Sequence, residues 1–191
     1  MPTYIALLRA VNVGGTGKLP MTKLEAMCVA EGFSSVQTYI ASGNVAFDSK
    51  LTAANVKAAA LENRLQAYAG KPVGIVIRTA QEMTAVLKAN PFRKAPPNWT
   101  VTIFLDEAPP ADAVAAIKGR QDEEVRVGKR EIYVAYGSGM GRSKLKIPAA
   151  NGHRTEHQHD RKARGTRVRR PERFLIRFMR PGAQLARPRV A

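Results

Sequence analysis

The apolar run from Thr3 to Leu8 has the character of a β-strand, and it gives way to a glycine-rich loop, Val11-Asn12-Val13-Gly14-Gly15-Thr16-Gly17-Lys18. Thr22 and Glu25 have the spacing of a capping box, and Leu24, Met27 and Cys28 fall on one face of the helix that would follow. Gly32 stops that helix, and Val36 to Ala41 reads as a strand. Ser42-Gly43-Asn44 is turn chemistry, and Val45 to Phe47 returns as the hairpin partner. Thr52 is placed to cap a long helix to Tyr68, closed by Gly70 and Pro72. Val73, Ile75 and Ile77 then alternate as a strand. The order β-α-β-β-α-β is that of a split βαβ, ferredoxin-like plait.

Thr79 and Glu82 form a second capping box, opening a helix with Met83, Val86 and Leu87 turned inward, and Asn90-Pro91 ends it. Trp99, Val101, Ile103 and Leu105 alternate with Thr100, Thr102 and Phe104 as a strand. A helix is expected near Asp112–Lys118, followed by a hairpin: Val125 and Val127 on one arm, Gly128-Lys129 at the turn, and Ile132, Val134 and Tyr136 on the other. The fold class predicted is therefore α+β: a ferredoxin-like unit over residues 1–79, a second α+β unit over 80–150, and a tail over 151–191. Residues 151–170 show neither helical nor strand periodicity, so most of that tail is expected to be disordered.

Charge sharpens the boundary. The tail holds 12 of the 31 Lys and Arg but 3 of the 15 Asp and Glu, a net +9 within the chain's +16; residues 1–150 carry +7. No stretch approaches the roughly 20 apolar residues of a membrane span. The N-terminal residues lack a basic leader and a cleavage site, and Cys28 is the sole cysteine, so a cytoplasmic protein without an internal disulfide is expected.

The loop after the first strand is the leading site candidate. Arg9 and Asn12 flank Gly14 and Gly15, and Lys18 closes the segment; glycines let backbone N–H groups converge on an anion while Arg and Lys supply charge. The spacing is not that of a Walker loop. Ser42, Gly43 and Asn44 could shape the same pocket. Gly141, Arg142, Ser143 and Lys144 belong to a second basic glycine loop, which could contribute if folding brought it near Arg9 and Lys18. Residues 1–150 contain no histidine, which excludes a Ser-His-Asp or Cys-His constellation there. His153, His157 and His159 lack companion Cys or carboxylate ligands, so no metal site is expected, and no cofactor motif is present.

Several segments resemble one bacterial family, the domain of unknown function 1697: Tyr4-Ile5-Ala6-Leu7-Leu8-Arg9-Ala10-Val11-Asn12-Val13-Gly14-Gly15, Thr38-Tyr39-Ile40-Ala41-Ser42-Gly43-Asn44-Val45, Val76-Ile77-Arg78-Thr79, Asn90-Pro91-Phe92 and Gly141-Arg142-Ser143-Lys144-Leu145. The resemblance spans about residues 3–148, implies two ferredoxin-like units and implies no activity. From about Asn151 the chain departs from the family, which there continues with a helix and a segment like Gly-Thr-Ala-Arg-Asn-x-Asn-Thr. With synonymous codons and a one-base shift of frame, the stretch Asn151 to Lys162 reads Thr-Gly-Thr-Ala-Arg-Asn-Ile-Asn-Thr-Ile-Ala-Lys, so a frameshift is expected there.

Three functions are compatible with these features. The first is binding of a phosphorylated or anionic small molecule at the basic glycine loops. The second is nucleic-acid binding through the plait sheet and the basic tail, although Tyr4, Tyr39, Phe47, Phe104 and Tyr133 form no recognisable stacking motif. The third is a structural or protein-interaction module. No membrane association is expected, and the oligomeric state is not legible.

Overall fold

A computed structural model describes residues 1–8, 19–39, 43–53, 61–96, 98–151 and 166–169. The first sheet contains β1 (Thr3–Leu8), β2 (Ser34–Tyr39), β3 (Asn44–Asp48) and β4 (Ile75–Thr79), all antiparallel, in the order β2-β3-β1-β4. That is the strand order of a split βαβ plait. The second contains β5 (Thr100–Phe104), β6 (Glu123–Val127), β7 (Glu131–Tyr136) and β8 (Thr166–Arg169), in the matching order β6-β7-β5-β8. The protein is α+β.

Three α-helices, α1 (Met21–Ala30), α2 (Glu62–Ala69) and α3 (Ala80–Ala89), and a 3-10 helix at Pro148–Asn151 are described. The capping box expected at Thr22 does not form. Helix α1 starts at Met21, and its first turn is closed by the Pro20 carbonyl, which accepts the N–H groups of Lys23 at 3.0 Å and Leu24 at 3.1 Å. Proline at the cap, pre-set in φ, moves the start ahead of Thr22. The inward face is as expected, with Leu24, Met27 and Cys28 buried. Burial, then Glu25 and Glu31, pushes the Cys28 thiol up to about 12. The second capping box does form: the Glu82 N–H donates to Thr79 Oγ1 at 3.1 Å, and Glu82 Oε2 accepts the Thr79 N–H at 2.8 Å. Of the long helix expected from Thr52, Glu62–Ala69 is helical and Gly70 closes it at φ +65, while residues 54–60 lie outside the described residues.

The first sheet is buried on both faces, because side chains alternate along strands and both sets are apolar. Tyr4, Ala6, Leu8, Val45, Phe47, Ile75 and Ile77 pack against α1 and α2, with Phe33 stacked on Phe47 at 4.4 Å. Ile5, Leu7, Ala46 and Val76 pack against Met83 and Val86 of α3 and against Phe104 and Tyr133 of the second sheet. One apolar cluster thus joins the two sheets.

The second sheet lacks the helix expected near Asp112–Lys118. Successive turns run there, closed by Ala113 N–H to Pro110 O at 2.9 Å and Ala116 N–H to Asp112 O at 2.9 Å. Lys118 then exchanges both backbone bonds with Lys146, at 3.0 and 2.8 Å. Gly119 follows at φ +66, where a Cβ would lie 2.4 Å from the Lys144 carbonyl oxygen. The non-local pairing overrides a short local helix. In the stretch expected to lack periodic structure, Thr166–Arg169 is a strand: backbone pairing with β5, in the register Thr102↔Val168, needs no apolar period. The rest of the tail, including His153, His157 and His159, lies outside the described residues.

Candidate functional site

Arg9, Asn12, Gly14, Gly15, Lys18 and Ser42 lie outside the described residues, but the strands that launch their segments are fixed. In the first sheet Leu7 pairs with Asn44, Leu8 with Ile75, and Tyr39 with Asn44. Leu8, the last residue of β1, therefore lies at the same border of the sheet as the end of β2 and the first residues of β3 and β4. Gly43 holds φ +84, a left-handed conformation that favours glycine, and Asn44 behind it is buried.

The second predicted segment is fully described. Arg142 and Lys144 are exposed and Ser143 is half-buried. The Ser143 hydroxyl donates to Glu123 Oε1 and accepts the Leu145 N–H at 3.1 Å; the Ser143 N–H closes a turn on Met140 O at 3.4 Å. Glu123 Oε2 also accepts the Gln121 N–H at 2.7 Å. Burial raises the Glu123 carboxyl, but the bonds from Gln121 and Ser143 outweigh it and hold the group below its ordinary value. Ser143 is thus engaged as a latch between residues 137–146 and 118–123. Its hydrogen bonds run within the second half of the chain.

Sequence reasoning missed a polar cluster at the junction of the sheets. Arg78, only 2% exposed, donates to three carbonyl oxygens: Ile77 at 2.8 Å, Leu105, and Arg130 at 3.1 Å. Its guanidinium also lies 5.8 Å from the centre of the Phe104 ring. Burial, then the charge of Arg130, lowers its pKa to about 10, which leaves it protonated at neutral pH. Arg130 pairs with Glu82, the capping residue of α3. Buried Glu131 accepts the N–H groups of Lys129 at 3.1 Å and Arg130 at 3.0 Å, and the Tyr133 hydroxyl at 3.2 Å. Burial, then Glu131, raises the Tyr133 phenol. Through these bonds Arg78 clamps β4 to the end of β5 and the β6–β7 turn. The sequence signals were a lone arginine after the apolar Val76-Ile77 and the family-like segment Val76-Ile77-Arg78-Thr79, neither of which points to the partners.

Residues 1–133 match the family model described as a protein of unknown function (DUF1697). The chain belongs to that family. The matched part runs from β1 to Tyr133 in β7, so it contains the whole first sheet and stops short of Asn151. Among solved structures, a conserved bacterial protein from Streptococcus pneumoniae is similar at 24% identity and a TM-score of 0.61, over 71% of this chain and 77% of that one. At that identity the likeness concerns the fold. No curated protein matches the chain. Among the described residues, no helix of this DUF1697 member is long and apolar enough to cross a membrane.

Proposed function

We propose that this protein binds a phosphorylated or otherwise anionic small molecule at the edge of the first sheet where residues 9–18 leave β1. The register carries the reading: Leu7 beside Asn44 makes the segments holding Arg9, Asn12, Gly14, Gly15 and Lys18 and those holding Ser42, Gly43 and Asn44 depart from one edge. Glycine-rich backbone can aim several N–H groups at one anion, and Arg9 and Lys18 add two positive charges. Exposed Arg142 and Lys144, which the reading also includes as candidates, add positive charge to the field of the protein. The reading assigns binding and no reaction, since none of these residues is a general base.

Calorimetry on the full chain with inorganic phosphate, nucleotides and sugar phosphates tests it. Saturable binding is expected, weakened about tenfold by Arg9→Gln with Lys18→Gln. Absence of heat across the whole set overturns the reading.

Nucleic-acid binding through the plait sheet has less support. Tyr4, Phe47, Phe104 and Tyr133 are buried, so those rings offer no stacking platform.

A further inference from the structure

Trp99, the one tryptophan in the chain, is 39% exposed just ahead of β5. It sits among tight turns: its N–H donates to Pro96 O at 2.9 Å, and its carbonyl accepts the Tyr136 N–H at 2.8 Å. The second bond holds the end of β7 beside Trp99, so the loop after Tyr136 begins next to it. Gly139, at φ +86, would place a Cβ 3.8 Å from Trp99 Nε1, which sets the loop backbone along the indole edge. Two turns follow each other there, closed by Gly139 N–H to Tyr136 O and Ser143 N–H to Met140 O, both at 3.4 Å.

Exposed Arg142 lies inside the second turn and exposed Lys144 just beyond it. Chain geometry keeps the Arg142 Cα within about 11 Å of that of Gly139. Exposed Arg93 and Lys94 precede Trp99 in the same run of turns. The adjacent carboxylate, Asp122, accepts the Ser138 hydroxyl. An exposed aromatic ring, the Gly139 backbone beside its edge and exposed cationic residues close by along the chain match the two halves of a nucleotide. Bases of any sequence stack on aromatic rings, and guanidinium and ammonium groups hold phosphate.

We propose that Trp99 and the loop Gly137–Lys144 form a nucleotide-binding surface, with the base on the exposed indole and the phosphate on Arg142 and Lys144. The surface shares no residue with the first-sheet edge.

Because Trp99 is the sole tryptophan, the intrinsic emission of the full chain reports from this surface. Titration with AMP is expected to give a saturable change in emission, with adenosine and inorganic phosphate each about tenfold weaker. Arg142→Gln with Lys144→Gln is expected to raise the AMP midpoint about tenfold and leave the thermal midpoint in place. An adenine oligonucleotide that binds more tightly than AMP assigns the unit to a single strand; equal midpoints assign it to the free nucleotide. The proposal is overturned if millimolar AMP gives no saturable change, if phosphate binds as well as AMP, or if the double variant keeps the wild-type midpoint.

Discussion

The Tyr133 hydroxyl donates to the Val86 carbonyl oxygen at 3.0 Å, tying the centre of β7 in the second sheet to α3, the helix packed on the first. The same hydroxyl lies 3.2 Å from Glu131 Oε1, so its single O–H proton is shared between two acceptors in a buried site. Tyr133→Phe keeps the ring and removes the donor. The cost of leaving buried acceptors unmet is about 1–3 kcal/mol. A lower urea midpoint with an unchanged slope is expected.

Arg78 is the second tie. Arg78→Met would take from the Leu105 carbonyl the bond it accepts from Arg78 and leave the Arg130 carbonyl with the Leu105 N–H at 2.9 Å, at a cost of about 1–3 kcal/mol. The sheets should also lose cooperativity. Trp99 emission, which follows the second sheet, and far-ultraviolet dichroism, which follows both, are expected to change together in the wild type and apart in the variant. Coincident transitions in Arg78→Met would assign the coupling to the apolar cluster alone.

Acid should loosen the junction. In Glu82, burial raises the carboxyl, but the Thr79 N–H, then Arg130 and Arg78, hold it below its ordinary value of 4.5; Glu123 is depressed as well. Folded-state values below unfolded ones mean the unfolded chain takes up protons first as pH falls. The stability these groups supply is therefore complete above about pH 4.5 and lost as pH falls through the folded values. Denaturation midpoints measured between pH 7 and 3 should fall less steeply in Glu82→Gln and Glu123→Gln.

Two glycines separate backbone strain from crowding. Gly32 and Gly119 both have positive φ, at +76 and +66, but a Cβ meets nothing within 4 Å at Gly32 and lies 2.4 Å from the Lys144 carbonyl oxygen at Gly119. Gly32→Ala is expected to cost about 1–2 kcal/mol, the strain of a left-handed residue. Gly119→Ala must also push apart the Lys118–Lys146 bridge, so its thermal midpoint should fall clearly further. Equal losses would show that the bridge yields freely.

The departure of the chain from DUF1697 after the matched residues has a test at the level of DNA. We propose a one-base shift near codon 151, and sequencing the source gene over codons 145–165 is expected to restore an Arg-Asn-x-Asn segment. A gene that encodes Asn151 to Lys162 as written removes that explanation.

Much of the candidate site was legible as segments and little of it as an assembly. The glycine-rich stretch after β1 and the turn at Gly43 announce themselves by composition, since φ above zero and converging amides need glycine. That both depart from one edge depends on the pairing of Leu7 with Asn44, a register set by which face of each strand is buried. The latch from Ser143 to Glu123 and the clamp at Arg78 could not be read locally, because their partners lie 20 to 52 residues away.

The same division runs through the fold. The apolar run of β1, the alternating apolar positions in β4, β5 and β7, the stop at Gly70 and the capping box of Thr79 and Glu82 are short-range, so neighbouring residues suffice to specify them. Long-range pairing decided the rest. The backbone exchange between Lys118 and Lys146 replaced an expected helix with turns, and the open edge of β5 drew a strand from an arginine-rich stretch. Isolated short helices are marginal, whereas a backbone N–H or C=O withdrawn from water must find a partner, and only the assembled sheets show which partner is in reach.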